Sequence, residues 1–148
     1  METTLVLLKP DSIQRRMIGR LLARFEAKGL QISAMKLMRI DAELAGRHYV
    51  EHLERDFYPT LEGYITSGPV VAAAISGPEA IQVVRSMVGP TNGLNAPAGT
   101  IRGDFSVSGQ KNLVHASDVP ESAVRELAIF FKPEELLTYD SPSSDWIL

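Results

Sequence analysis

The sequence predicts one domain of mixed α and β structure, spanning residues 1–148, in which a sheet packs against helices. Three observations carry that prediction. The chain has 148 residues, the usual size of a single core; short apolar runs alternate with stretches of helical period; and no repeat, low-complexity tract or second zone of composition divides it.

Leu5-Val6-Leu7-Leu8 is a continuous apolar run stopped by Lys9-Pro10-Asp11, so it reads as a buried strand followed by a helix that Asp11 or Ser12 caps. In that helix Ile13, Met17, Leu21 and Phe25 recur every fourth residue while Arg15, Arg16, Arg20, Arg24 and Lys28 take the other side, and Gly29 ends it. From Leu30 the period changes to two, with Leu30, Ile32, Ala34, Met38 and Ile40 on one face of a second strand that only Lys36 interrupts. Asp41 caps a helix to about His52. Tyr58-Pro59-Thr60 opens another, which closes near Ser67-Gly68-Pro69. Val70 to Ile75 is a strand buried on both faces, and Gly77-Pro78 leads into a helix containing Ala80, Val83, Val84, Met87 and Val88. Gly89 to Gly99 is a Gly/Asn/Pro/Ala loop long enough to suggest a purpose. A short apolar segment ends at Val114-His115, a helix covers Pro120 to Phe131, and a tail runs from Lys132 to Leu148. This order fits a doubly wound parallel sheet. It fits equally a four-stranded antiparallel sheet with helices on one side, of the ferredoxin-like kind, and periodicity does not choose between them.

Composition narrows the function classes. At 45% hydrophobic and 22% charged residues the chain is neither disordered nor fibrous. Fifteen Lys+Arg against 18 Asp+Glu give a formal net charge of -3, so no global field draws it to nucleic acid, and specific nucleic-acid binding is not expected. No cysteine is present, which excludes disulfide frameworks and thiolate chemistry. The start Met1-Glu2-Thr3-Thr4 is acidic and polar, and no apolar run approaches the roughly 18 residues of a membrane span. A cytoplasmic protein without a membrane partner is expected.

There is no Gly-x4-Gly-Lys-Ser/Thr loop and no Gly-x-Gly-x-x-Gly turn. His48 and His52 lie four apart, a spacing able to hold a metal, but with no His-Glu-x-x-His glutamate and no visible third ligand a solvated helix face is expected. His115 differs, because a strand-like stretch delivers its imidazole beside Ser117 and Asp118. A serine triad does not follow, since adjacency in sequence places no hydroxyl on the ring.

The segment Asn112-Leu113-Val114-His115-Ala116-Ser117-Asp118 closely resembles the signature of nucleoside diphosphate kinases. Leu8-Lys9-Pro10-Asp11, Gly68-Pro69-Val70-Val71, Gly99-Thr100-Ile101-Arg102-Gly103-Asp104-Phe105 and Pro133-Glu134-Glu135-Leu136 resemble further blocks of that family, in the same order. The resemblance spans nearly the whole chain. It implies the ferredoxin-like α/β sandwich and a ping-pong transfer of the terminal phosphate of ATP or another triphosphate to nucleoside diphosphates, through a phosphohistidine on His115. By family position the δ nitrogen attacks, Glu126 accepts the proton of the other nitrogen, and Ser117 bonds Glu126. Arg85 and Arg102 match phosphate-binding arginines, Thr91 a hydroxyl donor, Lys9 and Asn112 residues that bond the sugar hydroxyl, Tyr49 a neighbour of the histidine and Phe57 the platform for the base. Mg2+ is implied as the cofactor, held mainly by nucleotide phosphates, with Asp118 approaching through water.

Physical chemistry supports the same assignments. An imidazole, with an ordinary pKa of roughly 6.5, is largely neutral at pH 7 and attacks without a separate base. Fixed cations must meet the charge on the transferred group. Stacking on Phe57 is indifferent to base identity. On a helical wheel Val124, Leu127, Ala128 and Phe131 share a face, with Glu126 between Ile129 and Phe130 on another.

Three positions depart from the family pattern: Ala116 where glycine is common, Pro97 one residue early before Gly99, and Gly109 where the base pocket often carries valine. The tail's apolar end Trp146-Ile147-Leu148 resembles that of hexameric members, so a hexamer is expected, with a tetramer second. The rival reading is a ferredoxin-like nucleotide-binding or regulatory module without turnover.

Overall fold

The runs Leu5–Leu8 and Val70–Ile75 are apolar at every position because each is covered on both sides. In the computed structural model, which describes Met1–Leu148, β1 (Glu2–Leu8), β2 (Gln31–Met38), β3 (Val70–Gly77) and β4 (Val114–Ala116) form one sheet in the order β2-β3-β1-β4. Every neighbouring pair is antiparallel, which selects the ferredoxin-like alternative over the parallel one.

Side chains alternate across the pleat into two cores. Val6, Leu8, Val71, Ala73 and Ile75 meet Leu21 and Phe25 of α2 (Ile18–Ala27), Val84 and Val88 of α5 (Ala80–Val88) and Ile101 of α6 (Ile101–Phe105). Leu5, Leu7, Val70, Ala72 and Ala74 meet Ala45 of α3 (Ala42–His48), Tyr58 and Ile65 of α4 (Tyr58–Ile65) and Phe130 of α7 (Pro120–Phe130). Helices therefore cover both faces of the sheet, not one.

The first helix is broken. α1 (Pro10–Gln14) and α2 are separated where Arg16 takes a positive φ of 57°, a conformation that ends a right-handed helix. Neither Asp11 nor Ser12 caps α1; Lys9 occupies the cap position, and both side chains reach Leu113 instead. The second strand also differs from its reading as one apolar face. A register shift between Ile32 and Ala34 sends Ile32 to one core and Ala34 and Met38 to the other. Lys36 shares the latter face, its ammonium 4.9 Å from the Phe131 ring centroid and 3.3 Å from Glu135. α3 ends at His48 and a short 3-10 turn carries the chain to His52. The helix α6 has no counterpart among the expected elements; Thr100 caps it, accepting from the Gly103 N–H. No helix is long and apolar enough to cross a membrane.

Candidate active site

β4 is only three residues long, yet it aligns His115 with Leu7 on the face covered by α3, α4 and α7. The approach to β4 is held from outside. Leu113 has φ 74°, a left-handed conformation that costs a β-unbranched residue on the order of 1 kcal/mol or more. Its backbone is clamped by the corner after β1: Leu113 N–H donates to Asp11 at 3.0 Å, and Leu113 C=O accepts from Lys9 N–H at 2.8 Å and Ser12 Oγ at 2.6 Å. Tyr64 donates to the same Asp11 carboxylate. Burial and Asp11 raise the Tyr64 pKa well above its ordinary value.

α7 brings Glu126 against His115. Oε1 of Glu126 lies 2.7 Å from His115 Nε2 and accepts from Ser117 Oγ at 2.9 Å, and Glu126 is 4% exposed. A carboxylate accepts, so the imidazole proton sits on Nε2 and Nδ1 keeps its lone pair. Glu126 lies, as on the wheel, with Phe130 on a face turned from water, together with Ala123; of the other face Leu127 and Phe131 pack on the core, whereas Val124 is 72% exposed and Ala128 is exposed.

In front of His115 lies a cleft of about 460 Å3. Lys9, Tyr49, Phe57, Arg85, Thr91, Arg102 and Asn112 all line it with His115, together with His52, Thr60, Leu61, Gly109 and Gln110. The cations cluster at one part of its wall. Lys9 Nζ donates to Asn112 Oδ1 at 2.8 Å; burial first, then Arg102, pushes its pKa down to about 8. Arg102 donates to the carbonyls of Asn112, Gly89 and Val114, which fixes the guanidinium and leaves two of its five N–H groups free. Burial and then Arg85 bring the Arg102 pKa to about 10. Asn112 donates to the carbonyls of Thr91 and Gly109, tying the long loop to the floor. Phe57, 51% exposed, stands with its ring centroid 5.4 Å from that of His52. Tyr49 is buried, and burial followed by Glu126 raises its pKa above the ordinary value.

Asp118 does not line this cleft. It is exposed in an adjoining hollow, where the Ser122 hydroxyl first of all holds its carboxyl below the usual range. His48 is also not on a solvated face. It is 4% exposed, its ring centroid is 4.5 Å from that of His115 at 86°, and neither ring nitrogen has a hydrogen-bond partner. Ala116 needs no positive φ, so the departure from glycine there is without strain. Gly109 faces open space, so the cleft is wider at that point than a side chain would leave it.

A family model described as nucleoside diphosphate kinase matches residues 2–136. This chain belongs to the nucleoside diphosphate kinase family. It is 60% identical over 139 residues to a nucleoside diphosphate kinase of Rhodopirellula baltica, covering 94% of this chain and 91% of that protein. A nucleoside diphosphate kinase of Archaeoglobus fulgidus is 50% identical over 147 residues, 99% of this chain and 97% of the relative. Among solved structures, the nucleoside diphosphate kinase of Halobacterium salinarum in complex with CDP superposes with a TM-score of 0.97 at 43% identity, covering 99% of this chain and 98% of that one. The activity is accordingly that of a nucleoside diphosphate kinase, an enzyme acting on nucleotides, and a divalent metal is expected with kinase chemistry.

Proposed function

We propose that His115 is the phosphorylated nucleophile of a ping-pong exchange in which ATP or another nucleoside triphosphate donates and nucleoside diphosphates accept. The observation that carries this is the 2.7 Å contact of Nε2 with a buried carboxylate, on the residue that also lines the cationic cleft. Nδ1 forms the new bond to phosphorus as the bond from phosphorus to the bridging oxygen breaks, and the diphosphate leaves with that electron pair. A second diphosphate reverses the step. Glu126 keeps the proton on Nε2 throughout, and Ser117 fixes the carboxylate. Lys9, Arg85 and Arg102 meet the charge that spreads over the transferred oxygens, with the Thr91 hydroxyl as a further donor. Lys9 and Asn112, already bonded to each other, present donors to the sugar hydroxyl; Tyr49 backs the imidazole; Phe57 stacks the base.

The cleft contains those three cations and no carboxylate. That donor set suits Mg2+ carried in on phosphate oxygens, where it neutralises phosphate charge, and not a metal caged by protein. Asp118, in the adjoining hollow, would approach the ion through water.

The whole chain 1–148 acts as one catalytic domain in this reading, working in the cytoplasm as a homo-oligomer, a hexamer ahead of a tetramer. Exposed Trp146 and Leu148 on the tail support assembly. The deciding experiment mixes the pure protein with γ-labelled ATP and Mg2+. Acid-labile, base-stable label is expected on His115 and is expected to leave as GTP when GDP is added. His115→Ala is expected to bind ATP and take no label; label retained by that variant, or ATP binding without label in the parent, overturns the assignment.

A further inference from the structure

The hollow beside His115, about 140 Å3 in volume, shares Tyr49, His52, Arg85 and His115 with the cleft but, unlike it, carries carboxylates. Glu51, Asp118 and Glu126 set three carboxylates on its wall against the two guanidiniums of Arg85 and Arg125. A ring nitrogen of His48, one of His115 and a carboxylate oxygen of Glu126 lie within 4.8 Å of one another. The ring of His48 is buried with both nitrogens unpartnered, a state that leaves at least one lone pair without any donor. An apolar residue would fill the same space without that loss.

We propose that His48, His115 and Glu126 form a binding site for a borderline divalent transition metal, Zn2+ by chemistry, and that its occupation inhibits transfer. Two imidazoles and a carboxylate, with water in the fourth position, are a donor set that suits Zn2+ far better than Mg2+, which prefers oxygen alone. Zinc-ligand distances of about 2.0–2.2 Å place tetrahedral donors roughly 3.4 Å apart, so the 2.7 Å pair of His115 and Glu126 opens, and donors up to 4.8 Å apart draw in, by side-chain movements of about 1 Å.

Inhibition follows from proton bookkeeping on one imidazole. Zn2+ takes the lone pair at Nε2, and the single ring proton moves through water to Nδ1. The nitrogen that attacks phosphorus then carries hydrogen in place of a lone pair, and Glu126 turns from hydrogen-bond acceptor into metal ligand. This half rests on the proposed nucleophile; the site itself does not.

Co2+ is the probe, because four-coordinate Co2+ with two imidazoles absorbs in the visible. Titration of the full chain, free of nucleotide, is expected to saturate at one Co2+ per chain, to be reversed by Zn2+ and to be untouched by millimolar Mg2+. His48→Phe and, should that variant fold poorly, His48→Asn are expected to lose the band. In the kinase assay at saturating Mg2+, micromolar Zn2+ is expected to inhibit the parent at least tenfold more strongly than the His48 variant. No band, or a band that survives both His48 substitutions, overturns the site. A His48-dependent band without inhibition overturns the inhibitory step. A band in a protein whose His115 takes no label from ATP upholds the site while removing the proposed nucleophile.

Discussion

At the scale of single residues, the most consequential cation is Lys9, because its charge is held against its surroundings. It is 8% exposed, and burial first, Arg102 second, draw its pKa from 10.5 to about 8, while Asp11 opposes the shift. The free enzyme therefore begins to lose this charge near pH 8, and phosphate recognition should weaken with it. The expected profile of kcat/KM falls above pH 8, and Lys9→Gln lowers kcat/KM by about 10–100-fold, roughly 1.4–2.7 kcal/mol, and removes that limb. A limb that persists in Lys9→Gln belongs to another group. Stability runs the other way. The folded pKa lies below the unfolded one, so between about pH 8 and 10.5 the unfolded chain holds more protons and the Lys9 contribution to stability rises with pH. Activity and stability should thus separate across that window, which a thermal melt beside each rate measurement would read directly.

At the scale of elements, the proposed role of Glu126 depends on how α7 is rolled against the sheet. The buried side of the helix is Ala123, Glu126 and Phe130, so the same packing that buries Phe130 at 3% exposure delivers Glu126 to His115. Phe130→Ala should cost about 3–5 kcal/mol in urea unfolding and lower kcat as well, since Glu126 loses its support. Val124→Lys, at a position 72% exposed on the same helix, should change stability by no more than about 0.5 kcal/mol. A reversal of these two results would mean that α7 packs on its Val124 side instead. The wheel places Glu126 beside Phe130 but not the residue it meets, and that is where sequence patterning runs out. Buried strands, capped helices and the long loop were legible because each has a local signal: continuous apolar runs, Asp41 before a helix, Gly and Pro in clusters. The site blocks were legible as a family resemblance, and the structure gathers Lys9, Tyr49, Phe57, Arg85, Thr91, Arg102 and Asn112 around one cleft with His115. What local patterns did not carry were non-local partners. Asp11 resembles a cap but holds Leu113, 102 positions away, and His48 resembles a surface residue because its neighbours His115 and Phe130 come from other elements. The break at Arg16 has the same character: nothing in Gln14-Arg15-Arg16-Met17 signals a positive φ.

At the scale of the whole molecule, the apolar surface is distributed in a way that a lone chain gains nothing from. Trp146 is 90% exposed and Leu148 77%, and the edge strand β2 shows Met35 at 54% and Leu37 at 70%. Leu94 and Val107, in the long loop and after α6, are 69% and 78% exposed. An edge strand with unpaired N–H and C=O groups and apolar side chains invites a second copy, and closed symmetric assembly is the usual outcome. The tail is already anchored on its own chain, since Ile147 packs so closely over Gly29 that a Cβ there would lie 2.5 Å from it. Ile147 therefore positions the indole of Trp146 outward instead of being the buried anchor itself. Deleting residues 146–148 should leave the sheet and the cleft intact, because neither core includes them. If the assembly uses the tail, the truncated chain should show a smaller mass by light scattering, a melting temperature that falls on dilution more steeply than the parent's, and ATP labelling of His115 at an unchanged level per chain. A parent that is monomeric at micromolar concentration, or a truncated chain with the parent's mass, would mean that the tail packs for its own chain alone and that the β2 edge, through Met35 and Leu37, is where assembly must be sought.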